Sequence, residues 1–285
     1  MKSKTEMPSV PLRTDYKISW CPGCPNHMIL ESVRRGFISL IKSGLRKEDF
    51  VIVAGIGCHG KIFDYLNLSG FYGLHGRPIP VAEGIKIGNP NLNVVVFSGD
   101  GDTYSEGMEH FIHACRYNSD ITLVVHDNQS FSLTTGQATP TSQIGFKTKA
   151  EPQGEANFPL NPLHLALSAG ATFVARCNAR DIEHTSKIFQ EAVKHRGFSF
   201  VEIMQDCIIF NTEVNNRDSR IYKLEEKKRT LEEAFNLSKE YDYNSKDSKI
   251  PIGIFYRVQK PSLLDKWPIL QELQKKKVGW KGFKR

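Results

Sequence analysis

Five short apolar runs, rich in β-branched residues, constrain the fold of this chain more than any other feature: residues 50–54, 93–97, 121–126, 172–175 and 198–203. Runs of this length that are apolar almost throughout suit strands buried on both faces. Helical patterns lie between them. Residues 26–43 place Met28, Ile29, Val33, Phe37, Leu40 and Ile41 at helical spacing. Residues 104–117 and 181–195 also read as helices, the second starting near Arg180 or Asp181. Strands alternating with helices predict an α/β fold with a doubly wound, mainly parallel sheet. At 285 residues and 40% apolar composition, the chain can bury one large core, or a core plus a modest appendage.

Residues 135–162, rich in Pro, Gly and Gln, have no clear period and read as a long functional loop. After Asn211 the sequence turns polar. A charged helix is expected over 223–241, with Leu231, Ala234 and Phe235 inward, followed by the apolar run 250–256 and a basic tail. The expected division is therefore a main α/β domain over 1–210 and an extension over 211–285 that packs on that domain or on a partner. Residues 259–285 hold eight basic residues against Asp265 and Glu272, and so supply most of the net charge of +7. Such a tail suits nucleic acid, a membrane surface or an acidic protein. No nucleic-acid motif accompanies it, and no apolar run approaches the roughly 20 residues that span a bilayer. Residues 1–17 lack the apolar stretch of a signal peptide, so a cytoplasmic protein is expected. Six cysteines are too sparse for a disulfide scaffold, and Cys21 and Cys24 form a C-x-x-C pair. In a reducing compartment that pair points to a metal, a cluster or redox chemistry.

The first strand runs into Gly55-Ile56-Gly57-Cys58-His59-Gly60, a literal G-x-G-x-x-G. A dinucleotide site also needs an acidic residue about 20 positions on, at the end of the next strand. Asp64 comes too early and Glu83 falls in a helical stretch after Pro80, so the dinucleotide reading is rejected. The glycines still permit close backbone approach to a cofactor or cluster.

Two other strand ends carry oxygen donors. Residues 93–97 lead into Ser98-Gly99-Asp100-Gly101-Asp102, and residues 121–126 into Asp127-Asn128-Gln129-Ser130. Magnesium takes oxygen ligands and is often shared between one or two side chains and phosphate. Asp100 offers a carboxylate, Asn128 an amide oxygen and the backbone near Ser130 a carbonyl. Gly99 and Gly101 leave room for a diphosphate to reach backbone N–H groups. Gly99-Asp100-Gly101 with 26 residues before Asn128 resembles the thiamine-diphosphate motif of decarboxylases, transketolases and 2-oxoacid oxidoreductases.

The cysteines narrow that resemblance. Trp20-Cys21-Pro22-Gly23-Cys24 is similar to the W-C-P-G-C segment of 2-oxoacid:ferredoxin oxidoreductase β subunits. Cys58 in Gly55-Ile56-Gly57-Cys58-His59 and Cys207 in Gln205-Asp206-Cys207, before Phe210-Asn211, resemble the family's other two cluster segments. The resemblance implies a [4Fe–4S] cluster on Cys21, Cys24, Cys58 and Cys207. From the residues alone, a thioredoxin-like pair or a structural zinc stays open. Cys115 and Cys177 read as small core residues.

Further likeness runs through Leu74-His75-Gly76-Arg77, His110-Phe111-Ile112-His113-Ala114, Leu133-Thr134-Thr135-Gly136-Gln137-Ala138-Thr139-Pro140-Thr141-Ser142 and Ile250-Pro251-Ile252-Gly253. It implies a cofactor surround of Ile56, Gly57, Cys58, His59, His75, Gly99, Asp100, Gly101, Asp102, Asn128 and Ser130. His75, Arg77, Thr134 and Thr135 are the candidates for catalytic or substrate-facing roles. The departures are Pro25 for glycine, His126 for an apolar residue, Ser132 for glycine and Thr135 where many relatives carry lysine; the last leaves substrate choice open. The implied activity is oxidative decarboxylation of a 2-oxoacid to acyl-coenzyme A, with electrons sent to ferredoxin. Thiamine enzymes take a pyrimidine-activating glutamate from a second domain, so an α subunit is the expected partner. A non-redox thiamine enzyme and a zinc-stabilised binding module are the alternatives.

Overall fold

The computed structural model describes residues 12–212 and 219–282. In chain order its elements are α1 (Asn26–Lys42), β1 (Phe50–Ala54), α2 (Ile62–Tyr65), β2 (Ser69–Tyr72), α3 (Pro78–Gly88), β3 (Asn93–Gly99), α4 (Met108–Tyr117), β4 (Thr122–Asp127) and α5 (Pro162–Ser168). They continue with β5 (Phe173–Asn178), α6 (Ile182–Lys194), β6 (Ser199–Met204), β7 (Ile221–Lys223), α7 (Leu231–Ser238), β8 (Ile250–Arg257), α8 (Leu263–Lys266) and α9 (Pro268–Lys276). Each of the five apolar runs forms a strand. The strands join one eight-stranded sheet in the order β2-β1-β3-β4-β6-β5-β8-β7. From β2 to β5 every pairing is parallel, β8 runs antiparallel to β5, and β7 runs parallel to β8.

Helices cover both faces, which is why the strands are apolar on both sides. On one face α1 packs on α6, where Phe37 meets Phe50 and Phe189 edge to face. The approach is close enough that a Cβ on Gly36 would lie 2.4 Å from the Phe189 ring. On the other face α3, α4, α5 and α7 enclose Phe111, Phe198 and Phe200. Cys115 and Cys177 are buried, one in each core. β1 has β2 on one side and β3 on the other, so chain direction across the sheet reverses there. In open α/β sheets ligands bind at that reversal, outside the carboxyl ends of the strands.

The structure departs from the sequence expectations in places. The helix expected from Tyr104 begins as a π-helical turn, Asp102–Glu106, and turns α-helical only at Met108. The helix expected over 223–241 is confined to Leu231–Ser238, preceded by the strand Ile221–Lys223. Its real start is a capping box between Thr230 and Glu233. The charged residues before it are held in another way: the Arg229 guanidinium donates to the carbonyls of Glu225 and Ile254, both at 2.8 Å. Residues 250–256 do more than lie over the main domain, since β8 extends its sheet through β5. In the basic tail, α8 and α9 bury Leu264, Leu270 and Leu273; Lys284 and Arg285 lie outside the described residues. Among the described residues no helix is long and apolar enough to cross a membrane.

Candidate functional site

Asp100 sits immediately beyond β3, only 2% exposed. Its Oδ2 accepts hydrogen bonds from the hydroxyls of Thr139 at 2.6 Å and Thr141 at 3.1 Å. Burial pushes its carboxyl up to about 6, against the pull of those hydroxyls and of its own and Gly101's N–H groups. Thr141 also donates toward Asp127 Oδ1, at 3.0 Å, at the end of the neighbouring strand β4. Two carboxylates from adjacent strands thus converge on one hydroxyl.

The loop after β4 is equally fixed. Gln129 adopts a left-handed φ of 54°. Its N–H donates to Asp127 Oδ1 at 3.2 Å, and the Ser130 N–H to Asn128 Oδ1 at 3.0 Å. An amide oxygen has two lone pairs, so Asn128 retains one for a cation. The Ser130 carbonyl takes the Ser132 N–H at 2.8 Å, while the buried Ser130 hydroxyl has no hydrogen-bond partner among the described residues. The donor set at this crevice is all oxygen and suits magnesium. Of the two glycines expected to leave room, Gly99 faces the His59 ring, and a Cβ on Gly101 would come within 2.1 Å of the Phe131 ring.

Asp102 is the hub of the β1 side. It accepts from Ser98 Oγ at 2.6 Å, from the Gly76 N–H at 2.7 Å and from the Ile56 N–H at 3.4 Å. His59 Nε2 lies 3.3 Å from its Oδ2, and His75 Nε2 lies 3.6 Å from its Oδ1. Burial opposes ionisation here, yet His59 and these donors hold the carboxyl below its ordinary value. The rejected G-x-G-x-x-G thus has a physical use: a Cβ on Gly55 would fall 1.8 Å from Asp102 Oδ2. Arg77 bonds the Glu106 carbonyl and His110 Nε2, both at 2.9 Å.

Cys21, Cys24, Cys58 and Cys207 are free thiols gathered near one another. Burial pushes Cys24 up to about 11; the Asn26 N–H opposes this and the other three thiols reinforce it. The Trp20 indole donates to the Cys58 carbonyl at 2.6 Å, tying the C-x-x-C turn to the turn after β1. Cys207 Sγ accepts the Phe210 N–H at 3.3 Å. No three His, Cys, Asp or Glu side chains among the described residues cluster around a single metal-ion position. Thiolates from three separated turns suit a larger multi-iron group.

Thr134 and Thr135 are exposed on the loop after Ser130, apart from the buried oxygen donors. Thr134 bonds the Gln137 side chain at 2.8 Å, and Thr135 has a φ of 84°. Beyond them a cleft of about 350 Å³ is lined by Ser105, Phe131, Thr139, Ser142, Glu155 and Phe158, among others. Thr139, Thr141, Ser142, Asp127 and Asn211 fall within motifs visible in the sequence, but the sequence assigned none of them a role in the site.

The chain is similar to several known proteins. The family model described as "Thiamine pyrophosphate enzyme, C-terminal TPP binding domain" matches residues 55–203. The chain is 41% identical over 251 residues to a 2-oxoacid:ferredoxin oxidoreductase subunit beta from Saccharolobus solfataricus, covering 84% of this chain and 81% of that one. It is 45% identical over 188 residues to the 2-oxoglutarate synthase subunit KorB of Archaeoglobus fulgidus, covering 66% and 69% of the two. A solved 2-oxoglutarate:ferredoxin oxidoreductase from Magnetococcus marinus, with 2-oxoglutarate, coenzyme A and succinyl-CoA bound, superposes with a TM-score of 0.86 at 30% identity. That match covers 98% of this chain and 94% of the other.

Proposed function

The chain belongs to the family of 2-oxoacid:ferredoxin oxidoreductase β subunits, and from that premise we propose that, joined to an α subunit, it converts a 2-oxoacid and coenzyme A to acyl-coenzyme A and carbon dioxide while reducing ferredoxin. The observation that carries this reading is the pairing of two donor sets at neighbouring strand ends. Buried oxygen donors stand after β3 and β4, and four thiols stand on the turns beside them.

Asp100, Asn128 and Ser130 would hold magnesium and, through it, the diphosphate. Asp100 fits because its buried carboxyl meets hydroxyls and amides, which satisfy it less well than a cation would. Asp102 holds the Gly76 and Ile56 N–H groups in place and sets the position of His59 and His75 on the β1 side. His75, half-buried between Asp102 and Glu106, is the side chain of this chain best placed to meet substrate. Thiamine diphosphate, when bound, supplies the electron sink that makes loss of carbon dioxide feasible. Cys21, Cys24, Cys58 and Cys207 would hold a [4Fe–4S] cluster, which accepts the electrons singly.

The partner reading is supported by the exposed apolar side chains Leu74, Leu133, Ile209 and Phe210 on the segments flanking the site. The 2-oxoacid is left unspecified, since Thr135 presents no charge to a substrate carboxylate. The free thiols suit a reducing, cytoplasmic setting. Co-expression with the α subunit, followed by an anaerobic assay over a panel of 2-oxoacids, tests the reading. Ferredoxin reduction should require thiamine diphosphate, coenzyme A and both subunits. Turnover by this chain alone, or a thiamine-dependent decarboxylation with no iron bound, would overturn it.

A further inference from the structure

One side chain joins the two donor sets. Asn211 is buried, 1% exposed. Its backbone N–H donates to the Cys207 carbonyl at 3.0 Å, closing the turn that carries that thiol. Its side-chain Nδ2 donates to the carbonyl of Gln129 at 3.1 Å. Gln129 lies between Asn128 and Ser130 in the sparsely populated left-handed conformation, which persists only where neighbours fix it. The Ser142 hydroxyl donates to the same carbonyl at 2.8 Å, but from the segment that serves Asp100. The Asn211 Oδ1 is buried with no partner among the described residues, a cost that an apolar residue here would avoid.

Building on the function proposed above, we propose that Asn211 couples the two cofactor sites, so that a cluster on Cys207 and magnesium–diphosphate on Asn128 each favour binding of the other. An iron on Cys207 restrains its turn, the turn restrains Asn211, and Asn211 restrains the Gln129 peptide from which Asn128 and Ser130 project. The group that binds first bears the ordering cost, and the second binds to a loop already in place. The coupling is reciprocal.

The test uses the complex with its α subunit. Affinity for thiamine diphosphate in saturating magnesium is measured with the cluster loaded and after anaerobic chelation of its iron. The loaded form should bind about fivefold tighter, as one ordinary hydrogen bond allows, and Asn211→Ala should bring the two within about twofold. Ser142→Ala should weaken both forms alike and leave their ratio unchanged. Should iron-free protein not stay folded, loaded protein alone decides. Saturating magnesium and thiamine diphosphate should then slow chelator-driven iron loss in the natural chain but not in Asn211→Asp, which keeps the size and lacks the donor. Equal affinities for the loaded and iron-free natural complex, or coupling that survives both Asn211 variants, overturn the inference and leave the function standing. A natural complex that binds no thiamine diphosphate or no iron overturns the function instead.

Discussion

Thr141 has one hydroxyl hydrogen and two carboxylates within reach, Asp100 at 3.1 Å and Asp127 at 3.0 Å. One hydroxyl hydrogen cannot serve both carboxylates at once, and on the proposed function a divalent cation between the strand ends would give Asp100 a stronger partner. Thr141 therefore sets the direction in which Asp100 presents its other oxygen. Thr141→Val should lower magnesium affinity, titrated at fixed thiamine diphosphate, about tenfold or more, as for a lost hydrogen bond to a charged group. Thr141→Ser should restore most of it; an affinity unchanged in Thr141→Val would show that the hydroxyl has no such part. Asp100, Asn128 and the four cysteines were legible in the sequence because each sits in a short motif at a strand end or turn. The bonds of Thr139 and Thr141 to Asp100 were not, because they join residues 39 and 41 positions apart. A hydroxyl-rich run with a proline signals a turn whether or not a carboxylate lies beneath it.

Secondary elements were legible where burial dictated them. The five central strands and α1 and α6 follow apolar patterns that water alone enforces, and Asp181 caps α6 through the His184 N–H at 3.1 Å. The C-terminal elements were less so, because the charged residues at 225–229 favour helix by propensity and give no apolar face to orient one. The extension is fastened to the sheet through specific contacts. His195, at the end of α6, bonds Thr172 through Nε2 at 2.8 Å and Gln259 through Nδ1 at 3.3 Å. Burial, with Arg257 nearby, pushes this imidazole down to about 4, so it is neutral in the fold at pH 7. Between that value and the ordinary 6.5 the unfolded chain binds a proton that the folded chain does not. Stability from this site is complete above about pH 6.5 and is lost as pH falls toward 4, by at most about 1.4 kcal/mol per unit. Thermal melts of His195→Gln should show a lower midpoint at pH 7 and a shallower decline between pH 6.5 and 4. A decline as steep as that of the natural chain would place the acid sensitivity elsewhere.

At the scale of the whole molecule, one sheet brings a crevice of buried oxygen donors and four thiols to the same end, at the reversal between β1 and β3. Trp20 ties two of the thiol turns to each other at Cys58, and Asn211 ties the Cys207 turn to the crevice at Gln129. The exposed apolar residues on the flanking segments suit a second chain, the proposed α subunit. On the proposed function, electrons released from a 2-oxoacid at the crevice pass to iron held by Cys21, Cys24, Cys58 and Cys207. Electron paramagnetic resonance of the anaerobic αβ complex tests it directly. Adding 2-oxoacid with coenzyme A should produce the signal of a reduced [4Fe–4S] cluster, lost when thiamine diphosphate is omitted and in Asp100→Ala. No cluster signal with any 2-oxoacid, or reduction that persists without thiamine diphosphate, would contradict the account.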